Sequence, residues 1–285
     1  MTGGRTGRLV LVSTPIGNLG DLSPRAVAAL AGADAIVCED TRRTGRLLQH
    51  AGIAARRFVV ANQHTEARAA ADVVRLLGEG LTVAVVTDAG TPGVSDPGER
   101  LVKAALAGGH DVEAVPGPSA ALAALVVSGL PTDRFVVEGF LPRSGPARRE
   151  RLAALRPEPR TMVLYEAPHR VARTLADLVD TMGPDRPVAI ARELTKLHEE
   201  IWRGSLGAAR DRAADEEPRG ELVLVLGGAP PPPPATSADV VEALQAAYAA
   251  GVDQKHAVSE VAAALDVPRR VVYAAAIRLR AASPR

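Results

Sequence analysis

Hydrophobic positions along the chain alternate between short runs rich in Val and Leu and longer segments with helical periodicity. The clearest short run is Thr82–Thr87, which has the composition of a buried strand. The next eleven residues, Asp88–Gly98, hold three Gly, two Pro and two Asp, and an apolar helical pattern begins near Glu99. The sequence therefore predicts a strand, an elaborate turn and a helix. In an open α/β sheet such a turn lies at the carboxyl edge, where ligands bind.

The same alternation of strand and helix fills the rest of the first half of the chain. Ser23 followed by Pro24 is typical of a helix start, because serine caps free N–H groups and proline is favoured in the first turn. Repeated units of strand and helix predict a mainly parallel sheet. The other strands predicted here are Arg8–Ser13, Ala35–Cys38, Phe58–Ala61 and Asp111–Val115.

The pattern restarts in the second half of the chain. A long Ala- and Leu-rich helix is predicted from Ser119, which is placed as its N-cap, to Gly129. The strands predicted after it are Phe135–Phe140, Thr161–Tyr165, Pro187–Ala191 and Glu221–Leu226. We therefore predict an α/β fold with two lobes, over residues 1–117 and 118–229.

Five consecutive prolines at residues 230–234 predict a linker, because proline cannot continue a helix or a central strand. Beyond them the pattern is helical. Gln254–Leu265 and Arg269–Arg280, separated by Asp266–Pro268, resemble a helix-turn-helix pair. We therefore predict a small helical domain over residues 235–285.

Composition narrows the class of protein. Hydrophobic residues make up 47% of the chain and aromatic residues only 2%, which favours helices packed on a Val-rich parallel sheet. A net charge of +1 argues against a uniformly basic nucleic-acid coat. From Lys255 to Arg285, however, six Lys and Arg face two Asp and Glu. These helices could grip nucleic acid or serve only as a packing module.

Several classes of site are disfavoured. Cys38 is the single cysteine, which excludes an internal disulfide framework and a Cys-based zinc site. The six histidines show no metal-binding spacing, so no metal is predicted. No apolar run reaches the length of a membrane span, and residues 1–8 lack a signal-peptide core, so we expect a cytoplasmic protein without a membrane partner.

Charged residues follow two of the predicted strands in the second half. Glu166 and His169 come after Thr161–Tyr165, and Glu193 and Lys196 come after Pro187–Ala191. Loop residues at strand ends commonly carry chemistry, although structural roles are more common for a single His or Lys. The arginine-rich segment 143–160 is open to two interpretations, an RNA-facing arm or a solvated helix.

Six segments, in order along residues 8–226, resemble the small-subunit ribosomal RNA 2′-O-methyltransferases of the tetrapyrrole-methylase superfamily. Any one segment alone would be weak evidence for the resemblance, but the six segments together are specific to this family. They are Ser13–Ala26, Cys38–Arg42, Thr87–Gly98, Val115–Ala120, Leu164–Arg170 and Ala191–Lys196. The resemblance implies two α/β lobes with S-adenosylmethionine in the cleft between them, a homodimer, and methylation of a cytidine ribose in the decoding centre of 16S rRNA.

Methyl transfer to a ribose requires that the proton of its hydroxyl be removed or oriented, and the sequence leaves four candidates open: Glu166, His169, Glu193 and Lys196, the lysine requiring a depressed pKa if it acts as a base. The resemblance also implies cofactor contacts at particular residues. Those that would contact the cofactor are Pro15, Asp88, Ala89, Gly90, Val94, Ser119 and Ala120, with Tyr165 and Ala191 from the second lobe.

Two other functions remain open at this point. Methylases of small tetrapyrroles usually carry a Gly-x-Gly-Pro-Gly-Asp turn after the first strand, whereas Ser13–Asp21 keeps only the closing Gly-Asp, which favours ribosomal RNA as substrate. The alternatives are a methylase of a small tetrapyrrole-like substrate and a ligand-sensing helix-turn-helix regulator that binds DNA.

The C-terminal helices are open to two interpretations, RNA binding and a structural role such as capping a lobe or completing the dimer. The structural role is supported by an apolar stripe, Val258, Val261, Ala262 and Leu265.

Overall fold

A computed structural model describes residues 7–61, 65–215, 219–231 and 234–282. The chain divides into two compact units, Met1–Ala229 and Pro230–Arg285. The first unit holds two five-stranded sheets, which form two lobes. Pro232 and Pro233, within the predicted proline linker, lie outside the described residues.

The first lobe is a parallel sheet covered by helices. The strands lie in the order β3-β2-β4-β1-β5 and every pair is parallel, which confirms the predicted mainly parallel sheet. Strands β1 and β4 are neighbours in the middle, so the loops that follow them begin side by side. The elements are β1 (Arg8–Val12), α1 (Pro24–Gly32), β2 (Ala35–Cys38), α2 (Thr41–His50), β3 (Phe58–Val60), α3 (Glu66–Gly78), β4 (Thr82–Val85), α4 (Glu99–Ala107) and β5 (Asp111–Val115).

Both faces of this sheet are buried, as expected for parallel strands. On one face Leu9 packs with Leu76 and Leu101 of α3 and α4. On the other face Val10 packs with Leu30 of α1. The predicted start of α1 is confirmed, because the Ser23 hydroxyl accepts a hydrogen bond from the N–H of Ala26 at 3.1 Å.

The second lobe has a mixed sheet in the order β6-β7-β10-β8-β9. Only β6 and β7 are parallel, and the other three pairs are antiparallel. Strand β9 and helix α8 were not predicted from the sequence. The elements are α5 (Ala120–Ser128), β6 (Phe135–Phe140), α6 (Gly145–Leu155), β7 (Thr161–Glu166), α7 (Pro168–Met182), β8 (Pro187–Arg192), β9 (Glu200–Ser205), α8 (Leu206–Asp215) and β10 (Leu222–Leu226).

The second unit contains the helices α9 (Ser237–Ala249), α10 (Gln254–Ala264) and α11 (Arg269–Ala282). Its core includes Val258, Val261 and Ala262, which pack against buried residues of α9 and α11. The apolar stripe on α10 is therefore used inside this unit. The same residues do not form an exposed surface that could cap a lobe.

Candidate active site

The two lobes meet along one apolar cluster. Ile16 and Ala89, from the turns after β1 and β4, pack with residues of α5 and of one face of the second sheet. Ala120, Tyr165 and Ala191 belong to the same group, which we call the interlobe cluster. The carboxyl-edge loops of the first sheet therefore face the second lobe, and we call the junction between the two lobes the interlobe cleft.

Side-chain alternation along β7 and β8 divides the predicted site residues into two groups. Successive side chains of a strand point to opposite faces of the sheet. Tyr165 and Ala191 face the interlobe cluster. Leu164 and Ile190 pack in the core on the other face, and Glu166 follows Leu164 at a spacing of two residues. Glu166 therefore points away from the cleft.

The turns after β1 and β4 are joined by backbone hydrogen bonds. The N–H of Thr14 donates to the carbonyl of Gly90 at 2.9 Å, and the N–H of Gly90 donates back at 3.1 Å. The Thr91 hydroxyl donates to the carbonyl of Pro118 at 3.2 Å, which ties in the loop before α5. Pro15, beside Thr14, is buried. Three loops that carry predicted cofactor contacts are thus one connected structure.

Gly90 has a backbone conformation that other residues rarely adopt, with φ at +86°. Both of its polar backbone groups already bond to Thr14, so a ligand would meet its CH₂ surface. A Cβ here would lie 3.5 Å from Cγ2 of Ile16 and 3.8 Å from the Pro118 carbonyl, which are ordinary contact distances. Backbone strain, and not a clash, is therefore what a side chain would introduce.

We expect Gly90→Ala to lower the free energy of unfolding by about 1–2 kcal/mol, because L-residues are strained at positive φ. The matched control is Gly45→Ala in α2, where a Cβ would meet nothing within 4 Å. That change should stabilise the protein by about 0.5–1 kcal/mol, since alanine is the better helix former. Chemical denaturation measures both, and a Gly90→Ala protein as stable as the parent would contradict the strain.

Asp88 carries a carboxylate oxygen that has no partner among the described residues. Its Oδ1 is buried and accepts no hydrogen bond there, while Oδ2 lies 3.4 Å from Nη1 of Arg43. Burial raises the pKa of Asp88, and the charge of Arg43 opposes that shift. A buried acceptor is costly unless something donates to it. The site therefore fits a ligand that carries amino or hydroxyl donors.

The other predicted cofactor residues lie around the same cleft. Ser119 stands at the N-cap position of α5, but its hydroxyl makes no capping hydrogen bond, unlike the role the sequence suggested. Ala120 is partly buried in the interlobe cluster, and Val94 is 39% exposed. Ala191 is 1% exposed, so its side chain lies within the packed cluster. The structure thus brings the two lobes' predicted contacts together around small side chains.

Glu166, a predicted candidate base, has structural contacts instead. It is the last residue of β7, and its side chain is only 1% exposed. Its Oε2 accepts a hydrogen bond from the Thr174 hydroxyl at 2.6 Å. Its Oε1 accepts from the N–H of Ala167 at 2.9 Å and lies 3.1 Å from Nε of Arg170. Both oxygens therefore fix the start of α7 on the face away from the cleft, which is a correction to the expected catalytic position.

His169 lies on the same side as Glu166. It lines a cavity of about 790 Å³ together with Arg192, Trp202 and Arg212, between the second sheet and helices α7 and α8. This cavity is on the face opposite the interlobe cluster. The structure therefore does not bring His169 together with the predicted cofactor residues.

Glu193 and Lys196 form an ion pair close to the first lobe. The Lys196 Nζ lies 2.8 Å from Oε1 of Glu193 and 3.1 Å from Oε2 of Glu221. Burial lowers the pKa of Lys196, but its bonds to the two carboxylates outweigh burial, and the pKa lies above its ordinary value. The bond from Lys196 likewise holds the pKa of Glu193 below its usual range. Because a lysine base needs a depressed pKa, this pair supplies fixed charges and not a base.

The loop that carries this pair contacts the first lobe at the turn after β1. Glu193 and Thr195 have positive φ values of 51° and 65°, a strained conformation that clusters at functional sites. The N–H of Asn18 donates to the Thr195 hydroxyl at 3.1 Å. A Cβ on Gly17 would lie 2.5 Å from Cγ of Lys196, so the first lobe approaches this loop closely.

Asp96 is a carboxylate with a perturbed pKa that the sequence pattern did not single out. It lies in the turn after β4, half-buried, and none of the described residues gives it a hydrogen bond or an ion pair. Burial, together with the charges of Glu39 and Asp88, raises its pKa to about 7. Burial, followed by the charge of Asp96, raises the pKa of Tyr165 in the second lobe. The sequence feature that could have indicated Asp96 is a second carboxylate, beside Asp88, in the same Gly- and Pro-rich turn.

The arginine-rich segment 143–160 contributes structure. Arg148 is 3% exposed, and its guanidinium bonds to Asp177 at 2.7 Å and to the Thr174 hydroxyl at 2.9 Å. Arg151 pairs with Glu138. These two arginines are bound within the lobe, so an RNA-facing arm is not supported by them.

The sequence matches the family model of the tetrapyrrole (corrin/porphyrin) methylases over residues 8–210. The chain belongs to this family and is a methyltransferase. The predicted fold of two tetrapyrrole-methylase lobes with a helical C-terminal segment is confirmed.

Particular relatives narrow the comparison. The chain is 43% identical over 277 residues to a ribosomal RNA small subunit methyltransferase I from Synechocystis sp., covering 96% of this chain and 99% of the relative. Its fold is similar to the methyltransferase CobJ, with a TM-score of 0.60 and 25% identity over 78% of this chain and 95% of that one. A uroporphyrin-III C-methyl transferase from Thermus thermophilus, complexed with S-adenyl homocysteine, has a TM-score of 0.54 and 21% identity, covering 77% and 96%.

Neither a membrane-spanning helix nor a metal-binding cluster is present among the described residues. No helix there combines the length and the apolar character needed to cross a membrane. No group of three or more His, Cys, Asp or Glu in the described ranges is arranged to hold a metal ion.

Proposed function

We propose that this protein transfers the methyl group of S-adenosylmethionine to the 2′-hydroxyl of a cytidine in the decoding centre of 16S rRNA. The observation that carries the proposal is similarity over nearly the whole chain to a relative named for methylation of small-subunit ribosomal RNA. The interlobe cleft supports the chemistry, because loops of both lobes converge there.

The cofactor would lie in the interlobe cleft. The unpartnered Oδ1 of Asp88 can accept a hydrogen bond from it, and the Ser119 hydroxyl, which does not cap α5, can bond to it. Ala89 and Ala120 leave room beside them. When bound, S-adenosylmethionine supplies a methyl group that is electrophilic because it is attached to a sulfonium. The protein then has to hold a ribose oxygen in line and to remove its proton.

These two tasks set the scale of catalysis. Alignment contributes up to about 7–11 kcal/mol in the best intramolecular cases. A general base adds a factor of about 10²–10⁴ to the rate.

Lys196 keeps its positive charge and its side chain is 27% exposed, so we propose that it orients the RNA beside the cleft by contact with a phosphate.

An RNA substrate fits this chain better than a small tetrapyrrole. The second unit carries exposed arginines on α11, which a small substrate would not need. The turn Ser13–Asp21 also departs from the usual glycine-rich turn of the small-molecule branch. A DNA-binding regulator would share the basic helices, but it would not need a cleft built from two methylase lobes.

Mass spectrometry of ribosomal RNA nucleosides tests the proposed function. A strain lacking this protein should lose 2′-O-methylation at a decoding-centre cytidine, and the wild-type gene should restore it. Unchanged cytidine methylation in the deletion strain would contradict the proposal. Loss of a methylated tetrapyrrole in its place would favour the small-substrate alternative.

The proposal includes two further expectations from the resemblance. We expect a homodimer, and the exposed apolar side chains of Leu122, Val126 and Val127 on α5 give an association surface some support. We expect the protein in the cytoplasm, where its ribosomal substrate is found.

A further inference from the structure

We propose that the exposed ring of Phe140 stacks on a nucleobase of the RNA substrate and that Arg143 contacts a neighbouring phosphate. The inference rests on the proposed function and deepens it, because it names two side chains that would hold the RNA beside the interlobe cleft. Neither residue was predicted as a site residue from the sequence.

A β-bulge in β6 turns Phe140 toward the interlobe cleft. Val137 pairs with Val163 of β7, and both belong to the interlobe cluster. By strict alternation Phe140, three residues later, would lie on the other face of the sheet. The register shifts between Val137 and Gly139, however, so Phe140 pairs with Tyr165, which faces the interlobe cluster. Bulges of this kind re-aim side chains next to active sites.

Glycine at position 139 lets the first lobe approach this bulge. Gly139 has a φ of +75°, and a Cβ there would lie 2.8 Å from the hydroxyl oxygen of Ser95, in the turn after β4. Ser95 has a φ of +64°, which is a strained conformation for serine. Phe140 follows Gly139 directly, so its ring lies where the two lobes meet.

The ring of Phe140 is held by one neighbour and is otherwise largely open to solvent. It packs against Tyr165, with ring centroids 5.6 Å apart and an interplanar angle of 43°. It is nevertheless 55% exposed, in a chain whose aromatic content is only 2%. Because the contact with Tyr165 already restricts the ring, stacking of a base on it costs little further conformational entropy.

The loop after β6 is fastened by two arginines and presents a third. Nη2 of Arg170 donates to the carbonyl of Leu141 at 2.8 Å, and Nη1 of Arg148 donates to the carbonyl of Pro142 at 2.9 Å. The next residue, Arg143, is exposed, and no hydrogen bond or ion pair joins it to another residue in the part of the chain that the structure describes. A fixed backbone thus carries a cation that no described neighbour neutralises.

The combination of Phe140 and Arg143 matches the chemistry of a nucleotide. Proteins bind unpaired bases by stacking them on aromatic side chains, and arginine is a common contact to phosphate. The two side chains are three positions apart on one loop, as a base and its phosphate require of neighbouring contacts. A purely apolar partner surface would leave the charge of Arg143 without a match.

Phe140→Leu and Arg143→Gln in the full chain test the two contacts separately. The measurement is binding to small subunits from a methylation-null strain, titrated at several salt concentrations. Phe140→Leu should bind at least about fivefold more weakly with an unchanged slope of affinity against salt, because stacking releases no counterions. Arg143→Gln should reduce that slope by about one. Phe140→Tyr, which keeps the ring, should bind within about twofold of the parent.

Two variants elsewhere in the second lobe are matched controls. Phe135→Leu removes a ring that is 37% exposed at the start of β6, roughly 16 Å along the strand from Phe140. Arg210→Gln removes an exposed arginine of α8 that pairs with Asp211 at 2.7 Å. Both should keep the parent's affinity for subunits and its salt slope. Calorimetry should find the affinity of Phe140→Leu for S-adenosylmethionine within about threefold of the parent.

The possible results separate the explanations. A Phe140→Leu protein that binds subunits as tightly as the parent overturns the stacking contact, and an unchanged salt slope for Arg143→Gln overturns the phosphate contact. Weak S-adenosylmethionine binding with normal subunit binding also overturns the proposal, since the ring would then contact the cofactor. So does a Phe140→Leu protein that sediments as a smaller particle than the parent, because the ring would then join two copies of the chain.

Failure of the proposed function itself would be recognised separately. If the parent neither binds nor methylates small subunits, the proposed function fails and the RNA contacts of Phe140 and Arg143 fail with it. If the parent methylates small subunits and both variants bind them as the parent does, only the contacts proposed for these two residues are overturned.

Discussion

Ala120→Leu is expected to weaken S-adenosylmethionine binding by at least about 100-fold. Ala120 is the first residue of α5 and packs against the interlobe cluster. The next residue, Ala121, is buried in the same cluster, beside Tyr165 of β7. Leucine is a good helix former, so α5 itself should not be weakened. The added side chain has to enter the cleft, because adding volume to a packed cluster is unfavourable.

Calorimetry and thermal unfolding decide this prediction together. Val126→Leu on the same helix is the control, because Val126 is 70% exposed and extra volume there meets solvent. Ser119→Ala is a second probe, expected to leave stability unchanged because the hydroxyl does not cap α5. Because Ser119→Ala removes one proposed hydrogen bond to the cofactor, it should weaken the binding free energy of S-adenosylmethionine by about 0.5–1.5 kcal/mol. Parent-like affinity in a folded Ala120→Leu protein would remove this position from the site.

Replacing Arg269, Arg270 and Arg278 with Gln is expected to weaken binding to small subunits by about tenfold or more at physiological salt. All three are exposed on α11. Arg280 is left unchanged because it bonds to Gln254 of α10 at 2.9 Å. Each lost phosphate contact should reduce the slope of affinity against salt by about one. The apparent KM should rise more than kcat falls, with cofactor affinity unchanged.

The matched control neutralises Arg8, Arg56 and Arg75, three arginines of the first lobe. Each forms a surface ion pair, with Glu113, Asp34 and Glu79 respectively. Such pairs contribute little to stability, so this variant should fold normally. Titration of subunit binding against salt compares both triple variants with the parent. Equal salt slopes for the α11 variant and the parent would contradict an RNA grip by these arginines.

The sequence predicted the fold best where each strand is followed by its own helix. Strand β4, the turn Asp88–Gly98 and helix α4 were predicted in order, since the hydrophobic period changes clearly from one to the next. Strand β9, Glu200–Ser205, was missed because its charged and small residues do not alternate with hydrophobic ones. It forms as the antiparallel edge partner of β8. That pairing is a tertiary contact and leaves no local pattern.

The candidate site was predicted less completely, for two physical reasons. A strand end can be located from sequence, but the face of the sheet depends on one-residue alternation, which separates Tyr165 from Glu166. The protonation state of Lys196 depends on Glu221, which follows it by 25 positions and belongs to a different segment. Burial, followed by the charges of Glu39 and Asp88, raises the pKa of Asp96, and no local pattern connects Glu39 to this position.

The alternation along β7 also bears on how this lobe can change over time. Met162, Leu164 and Glu166 secure the layer of helices behind the sheet, whereas Val163 and Tyr165 shape the space at the lobe junction. Substitutions of Val163 or Tyr165 would alter the size of the ligand that fits at the lobe junction and leave the packing against the helices unchanged. One face of β7 can thus change to bind a different ligand, while the other face continues to hold the helices on the sheet.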